Sequence, residues 1–235
     1  MSATLVHVDQ LDCSFEPQPW PFATQQADAI DAHWTQARAQ KPGLFNGQVL
    51  VAHDVGIENQ PVGGAVFRAR FMAVDYKAFL AWRDFAAPGT PVYNCFAMAA
   101  LQTRDGVFVL GEMAAHTANA GLIHFAAGTP DLSDVINGKV DLAGSVLREL
   151  QEETGLCAQD IEMAPGWTLV LDGPRIACMK HCVLKGDAEA VMASIAAFLA
   201  TQAEPELVRT LVWRRAGDID AALLPGFMQA YLASF

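Results

Sequence analysis

Three glutamates, Glu149, Glu152 and Glu153, stand at i, i+3 and i+4 in the segment Asp141 to Leu156, DLAGSVLRELQEETGL. At helical pitch this spacing gathers their carboxylates on one side of a cylinder, with Arg148 beside them. Like charges so placed destabilise a helix by roughly a few tenths of a kcal/mol per pair, and by more where water is partly excluded. The cluster therefore asks for a cation. Hard oxygen ligands suit Mg2+ or Mn2+, which keep several waters and also bind the phosphates of a substrate. The same residues also read as a solvated acidic face, a common feature of surface helices.

The element that must position them is an amphipathic helix. Leu142, Ala143, Val146, Leu147 and Leu150 share one apolar face at about 100 degrees per residue. Asp141 is placed to cap the first turn, and Gly155 to close the last in a left-handed conformation. On this wheel Glu149 and Glu153 fall at the margin of the apolar stripe, so they are expected to be partly shielded from water.

Arg148-Glu149-Leu150-x-Glu152-Glu153-x-Gly155-Leu156 resembles the second half of the Nudix box, G-x5-E-x7-R-E-U-x-E-E-x-G-U with U aliphatic. Every fixed position from the arginine onward is met. The first half departs: Val140 stands eight residues before Arg148 where the family has Glu, and Asp134 replaces the glycine six residues earlier. Asp141, one place after Val140, is the acid expected to take over part of the missing role. An enlarged loop from Gly128 to Lys139 precedes the helix.

The resemblance implies an α/β/α sandwich with a mixed sheet, preceded here by a small α/β N-terminal region. It also implies metal-dependent hydrolysis of the diphosphate in a nucleoside diphosphate linked to another group. Mg2+ or Mn2+ is expected on Glu149, Glu152 and Glu153, with a backbone carbonyl of Gly128 or Ala127 as a further ligand. Arg148 is expected to hold a carboxylate in place. Many members draw another acid from a later loop, which points to Glu206, ahead of Glu204. The catalytic set is then Glu149, Arg148, Glu152 and Glu206. Lys139, Arg104 and Arg175 are candidates for contacts to the substrate's anionic groups. His116, His124 and His181 are either proton shuttles or histidines hydrogen-bonded in place.

Trp34 and the following KPGLFNGQVL resemble the leading region of Nudix proteins of the UDP-sugar diphosphatase type, which suggests a UDP-sugar as substrate; read as structure, they are an aromatic plug beside a turn. Two other readings stand beside this one. A nucleotide-binding module without cleavage is suggested by Val140 and the altered loop. A coenzyme A diphosphatase ranks lower, because its upstream signature is not recognisable between Leu101 and Ala126.

Composition agrees with a compact folded protein. The 235 residues carry a formal net charge of -11 and are 52% hydrophobic. That charge disfavours nonspecific nucleic-acid binding and anionic membrane surfaces, both of which need a positive field. The expected partner is a small nucleotide-derived substrate, with a homodimer as the expected assembly. With no signal-peptide pattern and no membrane-length apolar run, a cytoplasmic location is the default. The five cysteines, Cys13, Cys95, Cys157, Cys178 and Cys182, lack CxxC spacing and read as buried thiols. No G-x-S-x-G or GxxxxGK[ST] motif is present.

Two regions are expected, 1–92 and 93–235, meeting at Pro88-Gly89-Thr90-Pro91. The first holds a strand near Leu5 to Val8, a proline-rich turn, a helix from Thr24 to Gln40, a tight Asn46-Gly47 turn, strands at Gln48 to His53 and Gly64 to Val74, and a helix capped by Asp75. The second has strands at Cys95 to Thr103, Val107 to Glu112 and Leu122 to Ala126, then the acidic helix. Strands at Trp167 to Leu171 and Arg175 to Leu184, a helix from Ala188, a strand at Leu207 to Trp213 and a helix from Gly226 complete it.

Overall fold

The computed structural model describes residues 3–60, 64–89 and 91–235, so Thr90 of the expected boundary lies outside the described residues. Strands β1 (Thr4–Val8) and β2 (Gln10–Phe15) open the chain. Pro21 begins α1 (Pro21–Gln25), where its missing N–H costs nothing, and α2 (Ala27–Gln40) follows. The antiparallel pair β3 (Gln48–Gln60) and β4 (Gly64–Asp75) leads into α3 (Tyr76–Asp84). Asp75 occupies the N-cap of α3, but its carboxylate makes no cap bond. The backbone N–H of Lys77 donates instead to Asn46 Oδ1 at 2.8 Å. Neither Asn46 nor Gly47 has a positive φ. The expected tight turn is thus corrected: Asn46 serves as a cap for a helix that follows later in the chain.

The later part contains β5 (Val92–Gln102), β6 (Phe108–Met113), β7 (Ile123–His124) and β8 (Ala127–Gly128). The enlarged loop is built rather than loose. It carries a 3₁₀ turn over Leu132–Asp134 and the small ladder of β9 (Val135–Ile136) and β10 (Lys139–Val140). Asn137 and Gly138 close that ladder at φ of 52 and 76 degrees, a left-handed pair that these two residue types tolerate. Then come α4 (Leu142–Thr154), β11 (Ile161–Met163), β12 (Trp167–Asp172), β13 (Arg175–Leu184), α5 (Ala188–Leu199), β14 (Leu207–Trp213) and α6 (Gly226–Leu232).

Among the described residues the strands form one network in the order β1-β12-β13-β5-β3-β4-β2-β10-β9, from which β6, β7, β8, β11 and β14 branch. It is mixed, because β13 runs parallel to β5 and β2 parallel to β4. The first strand pairs with β12, deep in the later part of the chain, while β10 pairs with β2. The two expected regions therefore exchange strands at both ends of the sheet.

Burial on both faces of β5 makes the layers visible. Cys95, Ala97, Ala99 and Leu101 pack in one core with Val146 and Leu150 of α4 and Ile195 of α5. Phe96, Met98 and Ala100 pack in another with Phe227, Met228 and Tyr231 of α6. A central sheet with helices on either face is the expected α/β/α sandwich. A third core joins α2 and α3 to one face of β3 and β4 through Ile30, Phe79, Trp82, Val51 and Met72.

Candidate active site

Helix α4 forms as its sequence dictates. Asp141 Oδ1 accepts the backbone N–H of Gly144 at 2.9 Å, and Gly155 closes the helix in the left-handed region. Leu142, Val146 and Leu150 are fully buried, which fixes the rotation of the helix on the sheet. That rotation presses Glu149 and Glu153 against β8 and turns Glu152 outward.

Glu153 is 3% exposed. Its Oε1 accepts the backbone N–H of Ala127 at 3.1 Å, while its Oε2 is buried with no partner. Glu149 lies so near β8 that a Cβ added at Gly128 would fall 2.1 Å from its Oε1. Any larger residue at 128 would push this carboxylate aside. The side chain of Glu152 is 60% exposed.

Arg148 ties the cluster together. Its Nη1 donates to Glu149 at 2.7 Å and to Glu152 at 3.3 Å, while its Nη2 reaches both oxygens of Asp134 at 3.1 and 3.0 Å. Asp134 also accepts the backbone N–H of Asp131 in a reciprocal capping box. These contacts correct the sequence expectation. Asp141 Oδ1 caps α4, and Asp134 rather than Asp141 is the acid that Arg148 bonds.

The electrostatics follow from this crowding. Burial pushes the Glu149 carboxyl up to about 7, with Glu152 and Glu206 adding to the rise and Arg148 opposing it. Burial raises Glu153 still more decisively; Glu149, Glu206 and Glu152 reinforce it, and the Ala127 N–H opposes it. Burial works against the charge on Arg148, but Glu149, Asp134 and Glu152 outweigh it and hold that guanidinium above its ordinary value. Glu206 thus lies within electrostatic reach of both inner glutamates. Its backbone carbonyl accepts the N–H of Ala114 at 2.8 Å, which seats the start of β14 beside β6. Glu204 instead lines a groove between α5 and β14.

Among the described residues no three His, Cys, Asp or Glu side chains are gathered for a metal ion. The expected trio is divided: Glu153 points inward, Glu149 lies on β8, and Glu152 leans out toward Arg148. The inner pair still fits a hard divalent cation, because its donors are carboxylate oxygens, one of them buried without a partner. Gly128 supplies the close backbone approach that such a site needs.

The three expected anion contacts separate. Arg175 lines a cavity that also touches Gly128, and its nearest acid, Asp172, is 3.7 Å away. Lys139 is drawn away, its Nζ donating to Asp12 Oδ1 at 2.6 Å on β2. Arg104 sits in the turn between β5 and β6, beyond the strand end, and lines none of the cavity beside Gly128. Of the histidines, His181 bonds Gln102 at 2.8 Å, His116 lines the α5–β14 groove, and His124 lines the cavity beside Gly128.

Sequence reasoning noted Asp134 only as a departure from the box, with no role, and gave no sign of the cavity around His124. The Asp131-x-x-Asp134 capping pattern was a legible sign of order in the loop. Nothing in the local spacing, however, links Asp134 to an arginine 14 residues later.

No family model matches this chain, and no curated protein matches it. Solved structures to which it is similar include a Nudix hydrolase from M. Smegmatis, RenU, at 12% identity over 60% of this chain and 80% of that one, with a TM-score of 0.37. Another is the MutT protein from Methanosarcina mazei Go1, at 15% identity over 60% of this chain and 91% of that one, TM-score 0.37. A third is the Bacillus subtilis pyrophosphohydrolase BsRppH, at 11% identity over 74% of this chain and 81% of that one, TM-score 0.31.

Proposed function

We propose that the chain is a Nudix-type diphosphatase that cleaves the diphosphate linkage of a nucleoside diphosphate joined to another group. The observation that carries this reading is the chain of contacts from Asp134 through Arg148 to Glu149, ending beside a buried Glu153 oxygen that has no partner. Such a buried cluster of like charges is poorly compensated by protein groups alone, and a cation completes it. Glu149 and Glu153 would hold Mg2+ or Mn2+, with the Gly128 backbone as a further ligand and Glu152 nearer solvent. When bound, such an ion neutralises charge on a diphosphate and acidifies an attacking water. Arg148 fixes the orientation of Glu149 through its anchor on Asp134. Glu206, close enough to act electrostatically on both inner glutamates, is the candidate base.

A UDP-sugar is the finer substrate reading, supported by the resemblance around Trp34 and Asn46. A cytoplasmic setting is the expectation carried over from the sequence. No described helix is long and apolar enough to cross a membrane. A homodimer belongs to the same reading. The spread of Glu152 away from Glu153 favours one rival, a module that binds a nucleotide without cleaving it.

The test is a panel of UDP-glucose, ADP-ribose, NADH and coenzyme A incubated with the protein and Mg2+ or Mn2+. Release of a monophosphate product, abolished by chelation and restored by metal, is the expected result. Binding without product under both metals would replace the enzyme with the binding module.

A further inference from the structure

Strand β14 forms an open edge of the sheet. It pairs antiparallel with β6, from Leu207 on Met113 to Trp213 on Phe108, and among the described residues no strand pairs with its other side. Alternate backbone N–H and C=O groups along its seven residues therefore point away from the sheet. Proteins blunt such an edge with charge, proline or a bulge. Strand β14 uses these sparingly. Its only charge, Arg209, is drawn back onto β6 by Glu112 Oε2 at 2.7 Å. Its one bulge, at Val208, leaves the register unbroken from Arg209 to Trp213. Val208 itself is 59% exposed.

Charge at the two ends of this strand has opposite sign. Glu204 and Glu206 precede it, and Arg214 and Arg215 follow it. Glu206 and Arg214 are both exposed. The nearby ion pairs are Arg209 with Glu112 and Arg215 with Asp218, which leave Glu206 and Arg214 without one among the described residues. Extended chain rises about 3.3 Å per residue, so the two charges stand roughly 26 Å apart and cannot meet within one copy. Against an antiparallel second copy they can. With Thr210 facing its own counterpart across a two-fold axis, Glu206 meets Arg214 of the partner subunit, and the symmetry makes that pair twice. The same register sets Val208 opposite Val212 of the partner subunit, a favourable β-branched pair. Neighbouring registers are worse. Centring on Arg209 places two like charges face to face, and centring on Leu211 moves Glu206 onto Ala216 of the partner subunit. Helix α5 leaves room for the approach, since it lines a groove of about 910 Å³ beside β14 with the small side chains of Ala193, Ala196 and Ala200.

We infer that β14 is a homodimer interface, at which two copies join their sheets edge to edge, antiparallel and centred on Thr210. Glu206 adds to the negative charge around Glu149 and Glu153, so Arg214 of the partner subunit steadies that acid from outside the chain. The inference gives a surface to the homodimer of the reading above, but association itself needs neither metal nor cleavage.

The test is sedimentation of the metal-free full chain at concentrations up to about 100 μM, where a dimer is expected. Val208→Lys puts an ammonium at an exposed edge position and should weaken the dimer about tenfold or more. Arg214→Glu turns two attractions into two repulsions and should weaken it by a similar factor. Adding Glu206→Arg to Arg214→Glu restores the pairing with the charges exchanged, and should recover most of the lost affinity. Unchanged circular dichroism in each single variant separates dissociation from misfolding, and the charge exchange decides the matter should the lysine variant fold poorly. A wild-type monomer at the highest concentration, or a dimer indifferent to both single substitutions, would overturn the interface. Failure of the exchanged pair to recover affinity would overturn the register. A dimer that hydrolyses nothing in the metal panel would sink the diphosphatase reading alone.

Discussion

Two clusters of charge in this molecule are built on opposite terms. On the outer face of β2 and β4, Arg68 pairs with Asp12 and Glu58, Arg70 with Glu16 and Asp54, and Lys139 with Asp12. Three cations there meet four carboxylates, and every member is at least 34% exposed. At α4 a single cation, Arg148, pairs with Asp134, Glu149 and Glu152, while Glu153 and the exposed Glu206 add negative charge beside Glu149, and Asp134 and Glu153 are nearly sealed from water. The first cluster satisfies itself in solvent, where each pair contributes about 0–1 kcal/mol. The second is short of positive charge where shortage is expensive. A surplus of buried carboxylates around one arginine marks a place prepared for something else.

The widest gap between the clusters should appear when an inner glutamate is neutralised. Glu153→Gln or Glu149→Gln is expected to lower turnover roughly 10²-fold or more, as for loss of a metal-assisted step. The metal-free thermal midpoint should hold or rise, because a buried like charge has gone. Glu152→Gln should lower turnover without that gain, since its side chain is 60% exposed. An inner variant with full activity and reduced stability would reassign these residues to the scaffold.

Asp134→Asn probes the anchor rather than the ligands. Arg148 would lose a doubly bonded carboxylate that is only 4% exposed, at a cost of about 2 kcal/mol after allowing for the partly exposed guanidinium. Turnover should fall about tenfold as Glu149 loses its orientation. Chemical denaturation with parallel kinetics separates the two effects. Full activity in the variant would show that Arg148 holds Glu149 without the anchor.

The pH dependence of the metal-free protein should distinguish the clusters next. With Glu149 pushed up to about 7 from 4.5, the native state binds a proton that the unfolded chain has already released between those values. Stability should therefore fall as pH rises from about 4.5 to 7 and level off above, by on the order of 2–3 kcal/mol. Glu153, also raised, extends the decline upward. Saturating Mg2+ or Mn2+ should flatten the slope. A metal-free protein whose stability instead climbs through this window would mean that the two glutamates are not held in the surroundings described here.

Much of this contrast was legible in the sequence, and the missing parts share a physical cause. The helix, its caps and its buried face follow from local spacing, because i, i+3 and i+4 neighbours are fixed by helical pitch alone. The sandwich is what the resemblance implied and the alternation of strands and helices fits it, and the structure buries both faces of β5. Contacts made by folding over a distance were not readable. Asp134 reaches Arg148 only because the enlarged loop doubles back through β9 and β10. Lys139, a reasonable anion contact by position, is claimed by Asp12, 127 residues earlier in the chain. The cavity beside His124 needs α3, β5 and α6 in place before it exists at all.

The smallest expected effect is the most useful control. Arg68→Ala removes two ion pairs at once, to Asp12 at 3.1 Å and to Glu58 at 3.0 Å, yet should change stability by only about 0.5 kcal/mol and turnover not at all. Its side chain is 48% exposed, so water replaces what the carboxylates lose. Lys139 remains on Asp12 to limit any residual repulsion. Added salt should shrink even that small difference. Asp134→Asn, by contrast, breaks pairs of similar length in a site that water reaches poorly. If the two substitutions proved equally costly, burial would not be what separates the clusters, and the case for a cation at α4 would lose its energetic basis.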